Sequence, residues 1–357
     1  MEHKYRILVT GGAGFIGSAY IRRLLSSKKD IEIYNIDKLS YASDLSAINK
    51  LDNSKKIHKH FKINLCNYEE IFSLLKSFKP KLIVNFAAES HVDRSLDTPK
   101  SFFENNVIGT LNLIEAARIY WDNLPDKEQK NFKFHHISTD EVFGSLNASG
   151  FFNESTKYDP RSPYSASKAS TDHIINSWHN SYGFPTLLTN CSNNYGPYQF
   201  PEKLIPLSII RASQNKDILI YGDGGNIRDW LFIEDHINAL LLVQEKGLLG
   251  ESYCIGGVAE KNNLEVAQEI CEYLDKIRPK NKPHNRLIKF TKDRPGHDKR
   301  YSIDNYKIVK SLGWEPKYEF KKGIKITVDW YLKNENAMQE LMKRSNYSGE
   351  RLGLIQK

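Results

Sequence analysis

The stretch RILVTGGAGFIG, residues 6 to 17, decides the fold of this chain. A short run rich in β-branched residues is followed at once by Gly11, Gly14 and Gly17, and then by the helical pattern SAYIRRLL. A glycine-rich turn between a strand and a helix lets the backbone approach a pyrophosphate, and the free N–H groups at the start of the helix meet its charge. The stretch therefore predicts a strand, a phosphate-binding turn and a helix.

An acidic residue stands where such a site needs one. Asp37 directly follows the second strand-like run, IEIYNI, and lies twenty positions after Gly17. At this place in a dinucleotide-binding unit an acid binds the ribose hydroxyls of the adenosine. Because a carboxylate repels the 2′-phosphate of NADP, the sequence favours NAD as the cofactor, although the neighbouring Lys38 tempers that preference.

The rest of the chain extends this pattern. Residues 1–190 alternate β-branched runs with longer amphipathic stretches, which predicts an α/β fold with a doubly wound, parallel, Rossmann-like sheet. Residues 191–227 and 257–335 are rich in turns and predict a smaller α/β substrate-binding region. The stretch of about 228–256 is expected to rejoin the dinucleotide-binding domain, and residues 336–357 are expected to form a C-terminal helix and a polar tail.

Composition excludes several classes of protein. The 357 residues have ordinary apolar and charged fractions, which favours a soluble globular protein. The formal charge of +8 is dispersed and accompanies no nucleic-acid recognition motif, so it suits an anionic small molecule better than a nucleic acid. No apolar stretch approaches the length of a membrane span. Four scattered cysteines without a CxxC pair or zinc-ligand spacing predict a cytoplasmic protein with no metal.

A tyrosine and a lysine four positions apart, Tyr164 and Lys168, open the helix that follows the strand FKFHHIS. The same spacing recurs in this chain, at Tyr306/Lys310 and Tyr318/Lys322. Only the first pair lies at the carboxyl edge of the predicted sheet, where doubly wound folds bind ligands. As a base at neutral pH, Tyr164 needs its pKa lowered by about 3 units, roughly 4 kcal/mol, which a nearby ammonium and a nicotinamide cation can supply.

Two adjacent acids, Asp140 and Glu141, follow the same strand in HISTDEVFG, residues 136 to 144. Like charges side by side at the edge of a core raise each other's pKa and cost stability. A protein has reason to keep such a pair only where it uses the perturbed pKa values. The pair is therefore a candidate catalytic site.

Together these motifs resemble the extended short-chain dehydrogenase/reductase superfamily. Further segments narrow the resemblance to its nucleotide-sugar 4,6-dehydratase family, from about residue 5 to residue 330. They occur in the family's order: FAAESHVDRS (86–95), STDEVFG (138–144), SPYSASKA (162–169), NCSNNYGPYQFPEKLIP (190–206), GDGGNIRDWLFIEDH (222–236) and RPGHDKRYSID (294–304).

The resemblance implies an activity. Enzymes of this family keep NAD bound, oxidise a nucleotide-linked glucose at C4, eliminate water across C5 and C6, and return the same hydride to C6. By match to the motifs, Tyr164 is the base at C4 and Thr139 binds the C4 oxygen. Glu141 is the C5 base, Asp140 is the acid for the C6 oxygen, and Lys168 supports the tyrosine. The sequence FAAES, at the start of the segment 86–95, resembles the enzymes that act on dTDP-glucose more than those that act on UDP-glucose. UDP-glucose stays open as an alternative substrate.

Binding residues also follow from the match, position by position. Cofactor contacts are expected from Gly11, Gly14, Ile16, Gly17, Asp37, Lys38, Leu39, Ser40, Asn64, Leu65, Ala87, Ala88, Ser90, Asn105, Ser138, Tyr164, Lys168 and Asn194. Substrate contacts are expected from Ser90, Thr139, Asn193, Lys203, Leu204, Tyr221, Arg228, Asn263, Arg294 and His297. Among the latter, Lys203, Arg228 and Arg294 are the cations that a diphosphate needs.

The chain departs from the family pattern at two places near the expected adenine. Asn64-Leu65 replaces an Asp-Ile pair, and Asn105-Asn106 replaces Thr-Asn. Asparagine retains a side-chain carbonyl that can accept the adenine amino group, so binding should survive without the charge. The tightness of NAD retention is the property that these changes affect.

Two other functions compete with this reading. A nucleotide-sugar 4-epimerase or decarboxylase on the same scaffold also oxidises C4 but has no use for Asp140 and Glu141. A non-catalytic NAD-binding protein would have little reason to retain the whole set of catalytic residues. The family is typically dimeric through two helices, and residues 101–121 and 165–182 are the candidates for a homodimer interface, though their apolar faces could equally cover the sheet.

Overall fold

The computed structural model describes residues 4–27, 30–49, 57–350 and 352–353. The strands are β1 (Tyr5–Thr10), β2 (Ile31–Ile36), β3 (Ile57–Phe61), β4 (Leu82–Asn85), β5 (Lys133–Thr139), β6 (Thr186–Cys191), β7 (Asn193–Tyr195), β8 (Ile218–Tyr221), β9 (Ile227–Phe232), β10 (Ser252–Ile255), β11 (Glu260–Asn262) and β12 (Ile288–Thr291). The helices are α1 (Phe15–Leu25), α2 (Ser46–Asn49), α3 (Tyr68–Phe78), α4 (Val92–Asp97), α5 (Pro99–Phe102), α6 (Gly109–Asp122), α7 (Asp126–Gln129), α8 (Pro163–Tyr182), α9 (Leu204–Ser213), α10 (Ile233–Lys246), α11 (Asn263–Ile277), α12 (Tyr306–Leu312), α13 (Phe320–Lys333) and α14 (Glu335–Arg344).

Seven parallel strands form the central sheet, in the order β10-β6-β5-β4-β1-β2-β3. The strand order reverses between β1 and β4, which is where open α/β sheets bind ligands outside the carboxyl ends of their strands. The predicted doubly wound parallel sheet is therefore confirmed. It places the ends of β1, β2, β4, β5 and β6 along one edge.

Alternating side chains of the strands feed two hydrophobic cores, one on each face of the sheet. In β1, Val9 contributes to one core and Leu8 to the other; in β4, Val84 and Ile83 do the same. Because both faces are covered by helices, the strands are apolar throughout rather than alternately polar. This explains why the runs RILVT and KLIVN read as buried strands.

A smaller region is built from the later part of the chain. It contains a three-stranded sheet, β11-β9-β7, a two-stranded sheet, β12-β8, and the helices α9, α11 and α13. Within the stretch expected to rejoin the first domain, β10 extends the central sheet and α10 packs on α1, whereas β9 lies in the small sheet. In the described ranges no helix is both long and apolar enough to cross a bilayer.

Candidate active site

The glycine turn after β1 requires glycine at two of its positions. Gly11 has a φ of 69°, and a Cβ atom there would lie 2.6 Å from the backbone nitrogen of Ala87. A Cβ atom on Gly17 would collide with the carbonyl oxygen of Gly11. Helix α1 begins after Gly14 without a side-chain cap, so its first N–H groups are left for a ligand.

Asp37 closes this turn from the end of β2. One carboxylate oxygen accepts the N–H of Ala13 at 3.0 Å, and the other accepts the N–H of Leu39 at 2.8 Å. The neighbouring Lys38 pairs with Glu89 at 2.7 Å. Because Glu89 neutralises this cation, Lys38 is a poor partner for a 2′-phosphate, and the arrangement favours NAD over NADP.

A cleft runs along the carboxyl edge of the sheet, and its first part, here called the cofactor section, is lined by almost all of the predicted cofactor residues. These are Gly11, Gly14, Ile16, Gly17, Asp37, Lys38, Ser40, Asn64, Leu65, Ala87, Ala88, Ser90, Asn105, Ser138, Tyr164, Lys168 and Asn194. Leu39 does not line it: its left-handed backbone, with a φ of 59°, turns the side chain outward, where it is 38% exposed.

Polar atoms buried in this section fit a dinucleotide. Among the described residues, Ser192 Oγ, Asn193 Oδ1 and Asn194 Oδ1 are buried and have no hydrogen-bond partner. Buried polar atoms are almost always satisfied in folded proteins, so atoms of this kind facing a cleft indicate a polar ligand. The residues present therefore fit NAD.

The substitutions near the expected adenine are accommodated locally. Asn64 Oδ1 accepts the N–H of Cys66 at 3.0 Å, and Asn105 Nδ2 donates to the carbonyl of Ser101 at 2.8 Å. Asn105 lies in a π-helical stretch, Phe103–Ile108, of the kind often found at functional sites. A carbonyl oxygen has two lone pairs, so Asn64 retains one for a ligand.

Helix α8 presents Tyr164 and Lys168 to the cofactor section. Ser162 caps the helix reciprocally with Ser165, and Pro163 occupies the first turn, so the helix begins one residue before the tyrosine. Lys168 Nζ donates to the carbonyl of Ile137 at 2.9 Å and lies 3.2 Å from His136 Nε2. The lysine is thus fixed against β5.

The pKa values of this pair are set mainly by burial. Burial lowers the pKa of Lys168 to about 8, while the neighbouring Asp172 carboxylate acts to raise it. Burial, and then the charge of Glu141, raise the pKa of Tyr164 well above its usual value, against a lowering by its hydrogen bond with Thr139. Burial and Glu141 thus act opposite to the expected fall, whereas the hydrogen bond with Thr139 acts in its favour.

Asp172 is a residue that the sequence motifs did not single out. It lies one turn after Lys168 on α8, fully buried, and its Oδ2 accepts hydrogen bonds from Ser138 at 2.9 Å, Tyr158 at 3.0 Å and Asn190 at 3.0 Å. A buried carboxylate beside a buried ammonium favours the charged form of the lysine. The signal in the sequence was its spacing, four residues beyond Lys168 in SKASTD.

We expect Asp172→Asn to move the alkaline limb of the kcat/KM profile to lower pH by roughly one unit or more. Lys168 is a cation only while protonated, so activity falls as the pH rises through its pKa of about 8. Without the negative charge of Asp172 the pKa of Lys168 is lower, so the activity falls at a lower pH. The control is Tyr158→Phe, which removes one hydrogen bond to Asp172 but leaves its charge. If the alkaline limb of the kcat/KM profile stays at the wild-type pH in Asp172→Asn, Asp172 does not position or tune Lys168.

The acid pair lies at the end of β5, in a 3₁₀ turn that Thr139 caps. Thr139 Oγ1 accepts the N–H of Glu141 at 3.3 Å and donates to Asp140 Oδ1 at 3.3 Å. Glu141 lines the cleft, whereas Asp140 is 1% exposed, lies behind the wall and has an Oδ2 without a partner. The two carboxylates thus occupy different environments although they are adjacent in sequence.

Their pKa values differ accordingly. Burial, then the charges of Glu141 and Asp229, raise the pKa of Asp140 well above its usual range. Burial also raises the pKa of Glu141, but Arg294, Lys203 and Arg228 lower it. The nearby cations thus favour the ionised form of Glu141, and the nearby carboxylates favour the neutral form of Asp140.

The second part of the cleft, here called the substrate section, meets the cofactor section at Glu141. The predicted substrate residues that line it are Asn193, Lys203, Leu204, Tyr221, Arg228, Asn263, Arg294 and His297. Ser90 and Thr139 line the cofactor section. All ten predicted residues therefore lie along one continuous cleft.

Three cations face the substrate section and are held in place by the fold. Lys203 Nζ donates to the carbonyl of Ser90 at 2.9 Å, and the Arg228 guanidinium lies 4.2 Å from the ring centre of Tyr301. Arg294 Nη1 binds Asp93 at 3.2 Å, while its buried Nε has no partner among the described residues. A buried guanidinium with an unused donor is suited to an anion such as a diphosphate.

One further residue in the quoted segments acquires a role only in three dimensions. Glu202, which precedes Lys203, accepts hydrogen bonds from Tyr41 at 2.8 Å and Arg94 at 2.9 Å and lines both sections of the cleft. His297 packs beside the cations, and burial together with Arg294 lowers its pKa to about 4, so it is neutral at pH 7. In the described ranges no cluster of histidine, cysteine and acidic residues could hold a metal ion.

Comparison with known proteins identifies the class. Residues 8–327 match the family described as GDP-mannose 4,6 dehydratase, so the chain belongs to the nucleotide-sugar 4,6-dehydratases. A dTDP-glucose 4,6-dehydratase of Xanthomonas campestris pv. campestris is 49% identical over 348 residues, covering 97% of this chain and 98% of that protein. More narrowly, the chain is a member of the dTDP-glucose 4,6-dehydratase family.

Solved structures agree with this assignment. The dTDP-glucose 4,6-dehydratase of Streptomyces venezuelae, solved with NAD and a dTDP ligand, has a TM-score of 0.85 at 37% identity, covering 94% of this chain and 99% of that one. A UDP-glucose 4-epimerase of Thermotoga maritima, solved with UDP-glucose, has a TM-score of 0.80 at 26% identity, covering 92% and 99%. Dehydratases and epimerases share this scaffold, so the reaction must be argued from the site.

Proposed function

We propose that this chain converts dTDP-glucose to dTDP-4-keto-6-deoxyglucose, using NAD that stays bound through the reaction. The observation that carries the proposal is the position of Glu141, where the two sections of the cleft meet, next in sequence to the buried Asp140, whose pKa is raised well above its usual range by burial and by the charge of Glu141. A redox reaction alone has no use for a second acid, whereas an elimination needs both an acid and a base.

Oxidation at C4 is the first step. Tyr164 takes the proton of the C4 hydroxyl, while Thr139 holds the C4 oxygen by a hydrogen bond and Lys168 stabilises the tyrosinate. NAD, when bound, accepts the hydrogen from C4 and later returns it at C6. The cofactor is held by the glycine turn, by Asp37 and by the polar groups that line the cofactor section.

Elimination follows because a ketone at C4 acidifies the proton at C5. Glu141 removes that proton. Asp140 protonates the C6 oxygen, for which its side chain has to turn from behind the wall into the cleft, so that the C6–O bond breaks and water leaves. When hydrogen is returned to C6, Glu141 gives its proton back to C5. Tyr164 then holds one proton more and Asp140 one fewer than at the start, so a net transfer of one proton between them restores the enzyme.

The identity of the nucleotide in the substrate, thymidine or uridine, is best tested by competition between two nucleotide sugars. Wild-type protein without added NAD is incubated with equal concentrations of dTDP-glucose and UDP-glucose, and both nucleotides are followed by mass spectrometry. We expect the dTDP sugar to lose water first and the UDP sugar to persist. Preferential dehydration of the UDP sugar would overturn the choice of substrate, and an isomer of unchanged mass would indicate a 4-epimerase. Unchanged substrates would favour a non-catalytic NAD-binding protein.

We also propose that the protein is a homodimer in solution. Phe103 and Ile108, in the helical stretch predicted for the interface, are 41% and 46% exposed, and Tyr182 at the end of α8 is 51% exposed. Large apolar side chains on neighbouring helices are suited to a symmetric helix-to-helix contact. Sedimentation equilibrium would measure the mass, and a monomer would contradict the proposal.

The cytoplasm is the compartment that we propose. Its support is the state of the four cysteines, Cys66, Cys191, Cys254 and Cys271, which are all free and three of which are buried. Free thiols suit a reducing compartment better than an oxidising one.

A further inference from the structure

The chain after helix α14 lies against the substrate section rather than away from the protein. We call its described residues, 347–350 and 352–353, the C-terminal strap. Tyr347, Gly349, Glu350 and Leu352 line the substrate section, together with the three cations described above. None of the strap residues lines the cofactor section. The sequence predicted only a polar tail here.

One side of the strap is attached to the smaller region of the fold. Arg211, on α9, donates from Nη2 to the carbonyl of Gly349 at 2.6 Å. The Tyr347 side chain is 4% exposed, and its ring centre lies 6.1 Å from that of Phe200. A buried aromatic ring and a charge-assisted hydrogen bond hold this end of the strap in one place.

The other end of the strap is attached to helix α4, beside the central sheet. Gly353 donates its N–H to Asp97 Oδ2 at 3.0 Å and packs directly on the backbone and Cβ of Asp93. Asp93 is the carboxylate that binds Arg294 at 3.2 Å and accepts a hydrogen bond from the Tyr221 hydroxyl at 2.8 Å. The strap therefore supports the residue that orients two predicted substrate contacts.

The occupant that this wall suits is the nucleoside diphosphate part of the substrate. The apolar side chains of Leu204, Leu207 and Leu219 line the same section as the strap and are suited to packing on a flat base. Its end supports Asp93 and thereby Arg294, a cation suited to the diphosphate. The catalytic carboxylate Glu141 lies instead at the junction with the cofactor section.

We propose that the C-terminal strap is a wall of the nucleotide-sugar site, which crosses the cleft from α9 to α4 and fixes the nucleoside diphosphate through Asp93 and Arg294. This inference rests on the proposed function. The strap determines how tightly the nucleotide binds and takes no part in the chemistry or in NAD binding. It is a positioning element, and Gly353 is the position that couples it to Asp93.

Gly353→Ala tests the coupling. The φ of Gly353 is 72°, and an added Cβ would lie 2.9 Å from Asp93 Cβ, so alanine forces the strap away from α4. We expect the KM for dTDP-glucose and the Kd for dTDP, measured by calorimetry, to rise roughly fivefold or more, with kcat changed less than about twofold. The amount of NAD that copurifies should be unchanged. Asp97→Ala removes the other contact of this end without strain and should act in the same direction.

Gly313→Ala is the matched control. Gly313 has the same φ of 72° at the end of helix α12, but an added Cβ there meets nothing within 4 Å. Gly313→Ala therefore introduces the same backbone strain as Gly353→Ala but disturbs no contact near the substrate section. Its KM for dTDP-glucose and Kd for dTDP should equal those of the wild type.

The outcomes separate this inference from the proposed function. If the wild type binds dTDP and dehydrates dTDP-glucose while Gly353→Ala and Asp97→Ala behave like Gly313→Ala, the strap is not part of the site and the inference fails alone. A fall in kcat or in bound NAD with no change in KM or Kd would also overturn it. If the wild type neither binds dTDP nor dehydrates the sugar, the proposed function fails and the inference with it.

Discussion

Glu141→Gln is expected to oxidise the sugar and stop before water is lost. The variant retains Tyr164, Lys168 and Thr139, so the C4 hydroxyl can still lose its proton, but a glutamine cannot accept the proton from C5. Removing a general base of this kind costs about 10² to 10⁴ in rate. Bound reduced nicotinamide should therefore accumulate in a single turnover, visible as its absorbance, while mass spectrometry finds almost no dehydrated product.

The control is Glu315→Gln, the same change at an exposed carboxylate that lines neither section of the cleft. It should show wild-type turnover and no accumulated absorbance. If Glu141→Gln binds the substrate and yet neither dehydrates it nor accumulates reduced nicotinamide, its role as the C5 base is wrong. Continued dehydration at the wild-type rate would contradict the role equally.

Tyr164→Phe is expected to abolish the earlier step. The phenyl ring keeps the packing of the buried tyrosine, whose ring centre lies 6.4 Å from that of Phe102, so the helix should be undisturbed. Without the hydroxyl no group removes the C4 proton, and we expect losses of about 10² to 10⁴ in both oxidation and dehydration. Stopped-flow absorbance should thus show no reduced nicotinamide, in contrast to Glu141→Gln.

Binding must be shown separately for this variant. The Kd for dTDP should match the wild type, because Tyr164 does not line the substrate section and Arg294 and Lys203 are unaffected. The content of copurified NAD is measured as well, because Tyr164 is an expected cofactor contact. Reduced nicotinamide that appears at the wild-type rate in Tyr164→Phe would assign the C4 proton to another base. The two variants together place the two residues on successive steps.

Local features made much of the fold predictable. The glycine spacing after β1 predicts the turn because Gly11 has a positive φ and Gly17 packs closely against the carbonyl oxygen of Gly11. Both requirements fall within seven residues of sequence. The parallel sheet followed from apolar runs that are buried on both faces. The small sheet β11-β9-β7 was not predicted, since two of its strands have only three residues and all three come from distant parts of the chain.

The clustering of the candidate site residues was predictable wherever one short motif contains several of them. Asp140, Glu141, Tyr164 and Lys168 lie in short segments at one sheet edge, so topology alone brings them close. Asp172 was missed because its importance depends on burial beside Lys168, which helical spacing suggests but does not decide. The C-terminal strap was missed because a polar tail carries no periodic pattern that would predict its contact with the cleft.

The pKa of Tyr164 shows another limit of the sequence. A lysine one turn away predicted a lowered pKa, yet Lys168 Nζ bonds to the carbonyl of Ile137, and burial with Glu141 raises the pKa of the tyrosine. Sequence spacing reports which groups are neighbours but not how far each is desolvated. The balance of charge and burial needs three-dimensional coordinates.

The central claim is that one enzyme moves hydrogen from C4 to C6 and removes water in between. Its most direct test is the mass spectrum of the product formed from dTDP-glucose carrying deuterium on C4, by wild-type protein without added NAD. We predict a product lighter than the substrate by one water, with the deuterium retained and located on C6. A product of unchanged mass, or a dehydrated product that has lost the deuterium, would contradict the account.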